Sequence, residues 1–445
     1  MAAAESVETG EPEAPRRVLP LLLVTYAAFY LCRANVEPAF NLLSIEYGYD
    51  TEQMGVVLGI ALGAYAFGKL VLSPLADVKG GKTVLLGSLV ASAAVCIAIA
   101  LFDAPRRLGA SLGLVLTGAL VVANRFVQAG GWGGLVHVVG QFFGAKRRGT
   151  VMGILSTSYD VGNVLALNVC AGIVHLGFGW RALFLINPAI VLVVALMGRL
   201  ALPARRAQSA VEATAEAEEP RDESVRAIAK RLARLPAFWF AFALSFLLTF
   251  VRAGFMTWTP RFLYEVSVTA HVTSATSSSI AKSAFFGVAG IVGSVVTGRL
   301  SDRLGPGRRA PIMVVSLTLL VICVTALAHA GVSSPLVATI GVATCGLFLL
   351  GPYSLLAGAV SLDVAGPRGG ATAAGFIDAI GYVGASLAAV ILGSVSKRAG
   401  WTAAFDVVAV VAFFALVLAT IWAVRSGKRP NRNAHLSPAA SATNM

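Results

Sequence analysis

Apolar runs long enough to cross a bilayer, about 20 residues each, recur near 18–40, 53–74, 82–102, 110–142, 150–175 and 180–202. After a polar break they return near 237–262, 276–298, 309–330, 335–361, 370–395 and 401–425. The pattern predicts an all-α membrane protein: six helices, a linker and six more, twelve transmembrane helices in all. The run 110–142 is long for one crossing. Its glycines (Gly130, Gly131, Gly133, Gly134) predict one bent helix there. The corresponding division is an N-terminal tail 1–17, a six-helix bundle 18–202, a linker 203–236, a second bundle 237–425 and a tail 426–445.

Composition agrees with burial in lipid. Residues AVILMFWYC make up 57% of the 445 and DEKR only 13%, against roughly 25% charged residues in a soluble domain. That excludes a soluble enzyme, a disordered chain and a secreted disulfide scaffold. The net charge of +13 reads as membrane topology and not as nucleic-acid binding, because no basic stretch is interleaved with aromatics. Connections and tails on one side of the twelve helices carry 24 Lys and Arg, and those on the other carry five. The positive-inside rule then places both termini and the linker in the cytoplasm. A basic amphipathic run, Val225 to Leu235, is expected at the membrane surface. The five cysteines fall inside apolar runs and read as small hydrophobes. The scattered histidines give a metal no site, and no cofactor is expected.

The halves repeat. After the second helix the chain reads Leu75-Ala76-Asp77-Val78-Lys79-Gly80-Gly81-Lys82, and after the eighth Leu300-Ser301-Asp302-Arg303-Leu304-Gly305. Asp77 and Asp302 lie 225 residues apart, and Arg33 and Arg252 lie 219 apart. Each arginine stands about 15 residues, or roughly 22 Å, into the first helix of its half, near the midplane. Duplicated halves with a site between them describe a major-facilitator transporter of two pseudo-symmetric six-helix bundles. Charges at this depth are expensive and functional by default. Two guanidiniums facing each other form a clamp for a dianion, since arginine offers two parallel hydrogen bonds and keeps its charge. Asp77 and Asp302 are expected in conformational loops.

Other side chains are candidates around that clamp. Lys69 and Asp378 lie at similar depth on helices that adjoin in this fold, so Lys69 either pairs with Asp378 or touches substrate. Glu37, one turn after Arg33, either pairs with it, carries a proton or meets a cationic substrate group. Asp160 and Asp378 are further coupling candidates. Arg125 and Lys282 are intramembrane charges without an assigned partner. Tyr26, Tyr30 and Tyr65 are possible phenol donors. Gln128 and Trp132 are candidates to line the cavity, with His137 nearer the cytoplasm.

Several segments resemble the organophosphate:phosphate antiporters. Tyr26-Ala27-Ala28-Phe29-Tyr30-Leu31-Cys32-Arg33-Ala34-Asn35 is similar to that family's helix one, and Tyr65-Ala66-Phe67-Gly68-Lys69 to its helix two. Asn124-Arg125-Phe126-Val127-Gln128-Ala129-Gly130-Gly131-Trp132 resembles helix four. Arg252-Ala253-Gly254, followed by Trp258-Thr259-Pro260-Arg261-Phe262-Leu263-Tyr264-Glu265-Val266, resembles helix seven. Gly370 to Phe376 and Gly381-Tyr382-Val383-Gly384 resemble helix eleven. The resemblance runs from about Val18 to Val424. It implies exchange of an organic phosphate for inorganic phosphate, with Lys69, Tyr30, Tyr65 and Tyr382 as contacts behind the arginines. The chain departs from the family at Gly133-Gly134, where two prolines are usual. It departs again at Tyr159 for a histidine, Gly287 for an acid and Leu350 for a tyrosine. The anion clamp is thus retained while the walls that set specificity differ.

The leading expectation is an antiporter and not an enzyme. A proton-coupled carrier of an organic anion or zwitterionic phosphate ester is the second, and a sugar-phosphate sensor that does not transport is the third. The expected partners are a small anionic substrate (an organic phosphate or inorganic phosphate) and the lipid bilayer, with no nucleic acid. A monomer is expected, in the plasma membrane, or the inner membrane of a Gram-negative cell.

Overall fold

In lipid a backbone must satisfy its own hydrogen bonds, so the apolar runs become helices. The computed structural model describes residues 17–49, 51–203, 224–272, 275–305 and 309–427, and every regular element among them is helical. The first half contains α1 (Val18–Ala28), α2 (Val36–Tyr47), α3 (Thr51–Lys79), α4 (Gly81–Phe102) and the short α5 (Ala104–Leu108). It continues with α6 (Ala110–Gln128), α7 (Gly130–Phe142), α8 (Arg148–His175) and α9 (Trp180–Ala201). After the connection come α10 (Val225–Ala233), α11 (Pro236–Thr269), α12 (Ala275–Leu304), α13 (Ala310–Ala330), α14 (Pro335–Leu355) and α15 (Ser361–Gly427).

Among the described residues nine runs are long and apolar enough to cross a membrane. Pro335–Arg425 is one such run, but positive φ at Gly366 (72°) and Gly400 (82°) breaks it into three crossings. The helix α8 has the length of a crossing, 28 residues, and carries Ser156 to Asp160 in its interior. With α1 and α2 forming one broken crossing and α6 and α7 another, the chain makes twelve in two six-helix bundles. This is the expected multi-pass membrane architecture.

The glycines of 130–134 do more than bend a helix. Gly131 packs on the Phe29 ring, Gly133 on Ser73, and Gly134 on the Gly81–Leu85 backbone. The helix axis changes at Ala129, whose N–H bonds the Phe126 carbonyl three residues back. Small residues let membrane helices approach this closely. The same device joins the two halves: Gly153 lies against the Ser294 carbonyl, Gly298 against Gly149, and Gly375 against Ser73.

The run from Val225 folds as α10, with Ser224 accepting the Ala227 N–H as its N-cap. Its apolar side docks on protein: Ile228 and Leu232 are buried, and Arg231 donates to the Ala365 carbonyl at 3.2 Å. Arg226 and Lys230 remain exposed. The tails, Glu212 to Glu223 and the rest of the linker up to Glu223 lie outside the described residues.

Candidate functional site

The first crossing is discontinuous partway along its length. Between α1 and α2 it tightens into a 3-10 turn, Phe29–Cys32, and unwinds over residues 33–35. The freed carbonyls find partners on the fourth crossing. Cys32 O accepts from Asn124 Nδ2 at 2.7 Å and Gln128 Nε2 at 2.9 Å, and Arg33 O accepts from Arg125 Nη2 at 3.1 Å. Ser92 Oγ, from α4, donates to Asn124 Oδ1 at 2.7 Å. Gln128 also accepts from Arg33 Nε at 2.9 Å. Gln128 therefore holds the Arg33 side chain and does not line the cavity.

A cavity of about 60 Å³ lies between the halves. The first half contributes Tyr26, Tyr30, Tyr65, Trp132, Ser156 and Tyr159 to its walls. The second contributes Ser245, Arg252, Tyr353, Ser354, Leu356, Asp378 and Tyr382. The two arginines are not equivalent. The Arg252 guanidinium lies between the rings of Tyr159 (4.7 Å) and Tyr353 (4.9 Å), lines the cavity, and has a buried Nε without a hydrogen-bond partner. Arg33 stacks on Tyr65 (4.3 Å) and Tyr30 (5.0 Å), set back behind those rings.

Lys69 and Asp378 form an ion pair across the halves, the lysine 1% exposed and the carboxylate 15%. Lys69 Nζ also lies over the rings of Tyr65 (4.7 Å) and Tyr382 (5.8 Å). Asp378 faces the cavity and Lys69 stands behind it. Glu37 is exposed at the start of α2 and makes no ion pair with Arg33. Asp160 stands next to Tyr159 in the interior of α8 and is not among the residues that line the cavity.

Asp77 and Asp302 lie in the last turns of α3 and α12 and not in loops, and each accepts backbone N–H groups near the start of a helix of the opposite half. Asp77 accepts from the N–H groups of Ala371 (3.2 Å) and Thr372 (2.8 Å) and from Thr372 Oγ1 (2.7 Å). His137 Nδ1 lies 3.0 Å from the same carboxylate. Asp302 accepts from the N–H groups of Gly149 (2.7 Å) and Thr150 (2.6 Å). Arg309, 2% exposed, bridges Asp302 (3.2 Å) and Asp363 (2.7 Å). These contacts close the basic end of the bundle between the halves.

Sequence reasoning missed Tyr353, which supplies a tenth-crossing ring although Leu350 stands where the resemblance puts the tyrosine; Leu350 is buried instead. It also missed Ser245 and Ser354. The run Ser156-Thr157-Ser158-Tyr159-Asp160 did carry a signal, five polar residues in the middle of a crossing.

Residues 22–389 and 274–443 match the family description "Major Facilitator Superfamily". The glycerol-3-phosphate transporter of Bacillus subtilis is 26% identical over 425 residues, covering 92% of each chain. The phosphoglycerate transporter protein of Salmonella typhimurium is 26% identical over 400 residues, covering 85% of this chain and 82% of its own. Among solved structures the E. coli fucose:proton symporter superposes with a TM-score of 0.65 at 16% identity, over 91% of this chain and 98% of that one. That likeness is one of fold.

Proposed function

Because the chain belongs to the Major Facilitator Superfamily, we propose that it exchanges an organic phosphate ester for inorganic phosphate by alternating access. The observation that carries this is the pair of repeat-related arginines, one from each half, beside a single cavity. Arg252 presents an unpartnered buried donor there, and an orphaned donor at that depth calls for an anion. The relatives named for glycerol phosphate and phosphoglycerate, matched over most of their length, support a phosphorylated substrate.

In this reading the phosphoryl group enters between Tyr159 and Tyr353 and binds Arg252. Arg33 then closes from the other half as the halves rock. Lys69 stays paired with Asp378 and the tyrosine hydroxyls complete the oxygen shell. Both termini face the cytoplasm, so Asp77 and Asp302 hold the cytoplasmic side shut here and must release for the site to turn inward. The protein works as a monomer in the plasma membrane.

Proteoliposomes loaded with phosphate provide the test. Labelled phosphate uptake should require trans phosphate and survive collapse of the proton gradient. Arg33→Lys and Arg252→Lys should each lower exchange at least roughly tenfold, because an ammonium cannot reproduce the planar two-pronged contact. Near-normal exchange by either variant rejects the clamp. Uptake that needs an imposed pH gradient and ignores trans phosphate rejects antiport in favour of proton coupling.

A further inference from the structure

We infer that the organic phosphate carried is a zwitterion, a small molecule with a phosphoryl group at one end and an ammonium group at the other. The inference rests on the proposed reading of this cavity as a phosphate site. Among the described residues, two charged side chains line it: Arg252 and Asp378. They carry opposite signs. The wall beside Asp378 thus meets a ligand with a carboxylate, because Lys69 is buried behind it. A purely anionic ester gains nothing from that wall, whereas an ammonium shares the carboxylate with Lys69.

The rings of the same wall suit a cation. Tyr65 and Tyr382 meet edge to face at 5.0 Å, and Tyr26 and Trp132 at 5.1 Å. The protein's own ammonium, Lys69, already sits over Tyr65 and Tyr382 from the rear. Arg33 and Lys69 thus occupy Tyr65, and Lys69 occupies Tyr382, so the ring offered to a ligand alkylammonium is Tyr26, edge to face with Trp132. The guanidinium of Arg252, between two other tyrosines of the lining, takes the phosphoryl end.

Competition against labelled phosphate exchange in phosphate-loaded proteoliposomes tests this. Phosphoethanolamine and phosphocholine are compared with their carbon isosteres, n-propyl phosphate and 3,3-dimethylbutyl phosphate. At least one ammonium ester should half-inhibit at a concentration roughly tenfold below that of its isostere, as a desolvated cation–π contact with a carboxylate predicts. It should also drive exchange as the sole trans substrate. Tyr26→Leu should pull that ratio toward one, whatever its effect on exchange overall. If neither ammonium ester outcompetes its isostere while phosphate exchange is intact, the zwitterion inference falls and the phosphate site stands. If no phosphate exchange occurs at all, both fall.

Discussion

Lys69 and Asp378 show what a buried charge costs when its partner is taken away. The lysine is almost wholly enclosed, under two tyrosine rings, and the carboxylate is its counter-charge from the other half. Removing one member of a buried pair costs about 3–5 kcal/mol, because the other is stranded. Lys69→Met and Asp378→Leu should each lower the melting temperature of the solubilised protein clearly, and the double variant should recover part of the loss. A double variant as unstable as the worse single one would mean that the two charges do not depend on each other. Depth along two apolar runs was enough to suggest this pair. Which member faces the cavity was not legible, because rotation of a helix about its axis is set by its neighbours.

The first crossing shows the same dependence at the level of an element. An unwound backbone inside a membrane survives only where other groups satisfy it. Here Asn124, Arg125 and Gln128, spaced along one face of α6, bind the two freed carbonyls and the Arg33 side chain. Gln128→Leu leaves Arg33 Nε without its acceptor and removes one donor from Cys32 O. Each unsatisfied buried group costs about 1–3 kcal/mol. The variant should therefore be less stable to heat, and its apparent KM for phosphate should rise through misplacement of Arg33. An unaltered KM would show that Arg33 needs no second support. The motif around Asn124 and Gln128 was readable in the chain; the break it braces holds no glycine or proline itself, and its signal is Pro38 just beyond it, which has no N–H for the Ala34 carbonyl and whose ring crowds that carbonyl. Residues 29–35 are Phe-Tyr-Leu-Cys-Arg-Ala-Asn.

At the scale of the whole molecule the two halves are held at their basic end by a repeated device. In each, an aspartate at the end of the second helix of one half accepts backbone N–H groups near the start of a helix in the other. The partners differ: His137 attends Asp77, whereas Arg309 with Asp363 attends Asp302. Losing such an acceptor costs about 1–3 kcal/mol, enough to move a two-state equilibrium roughly tenfold. Asp77→Ala and Asp302→Ala should therefore favour opening at this end. Ser73, fully buried between Gly133 and Gly375, reports it: in a background lacking the native cysteines, Ser73→Cys should react faster with a water-soluble maleimide in either variant. Unchanged reactivity in both would show that the closure rests on packing alone.

Much of this protein was settled by its sequence. Run length and hydropathy are local properties, and in a bilayer they leave helices as the one solution for these segments. They determined the twelve crossings. The duplicated spacing of Arg33 with Arg252 and of Asp77 with Asp302 determined that equivalent residues would stand at equivalent depths. The tertiary structure decided everything that depends on pairing segments distant in the chain. It set Arg252 at the cavity and Arg33 behind tyrosine rings, brought Tyr353 into the wall, put Asp378 in front of Lys69, and joined Asp77 to Thr372. Periodicity says how deep a side chain lies in the membrane. The direction it faces comes from the close packing of neighbouring helices, at glycines such as Gly153 and Gly375, and no single segment carries that information.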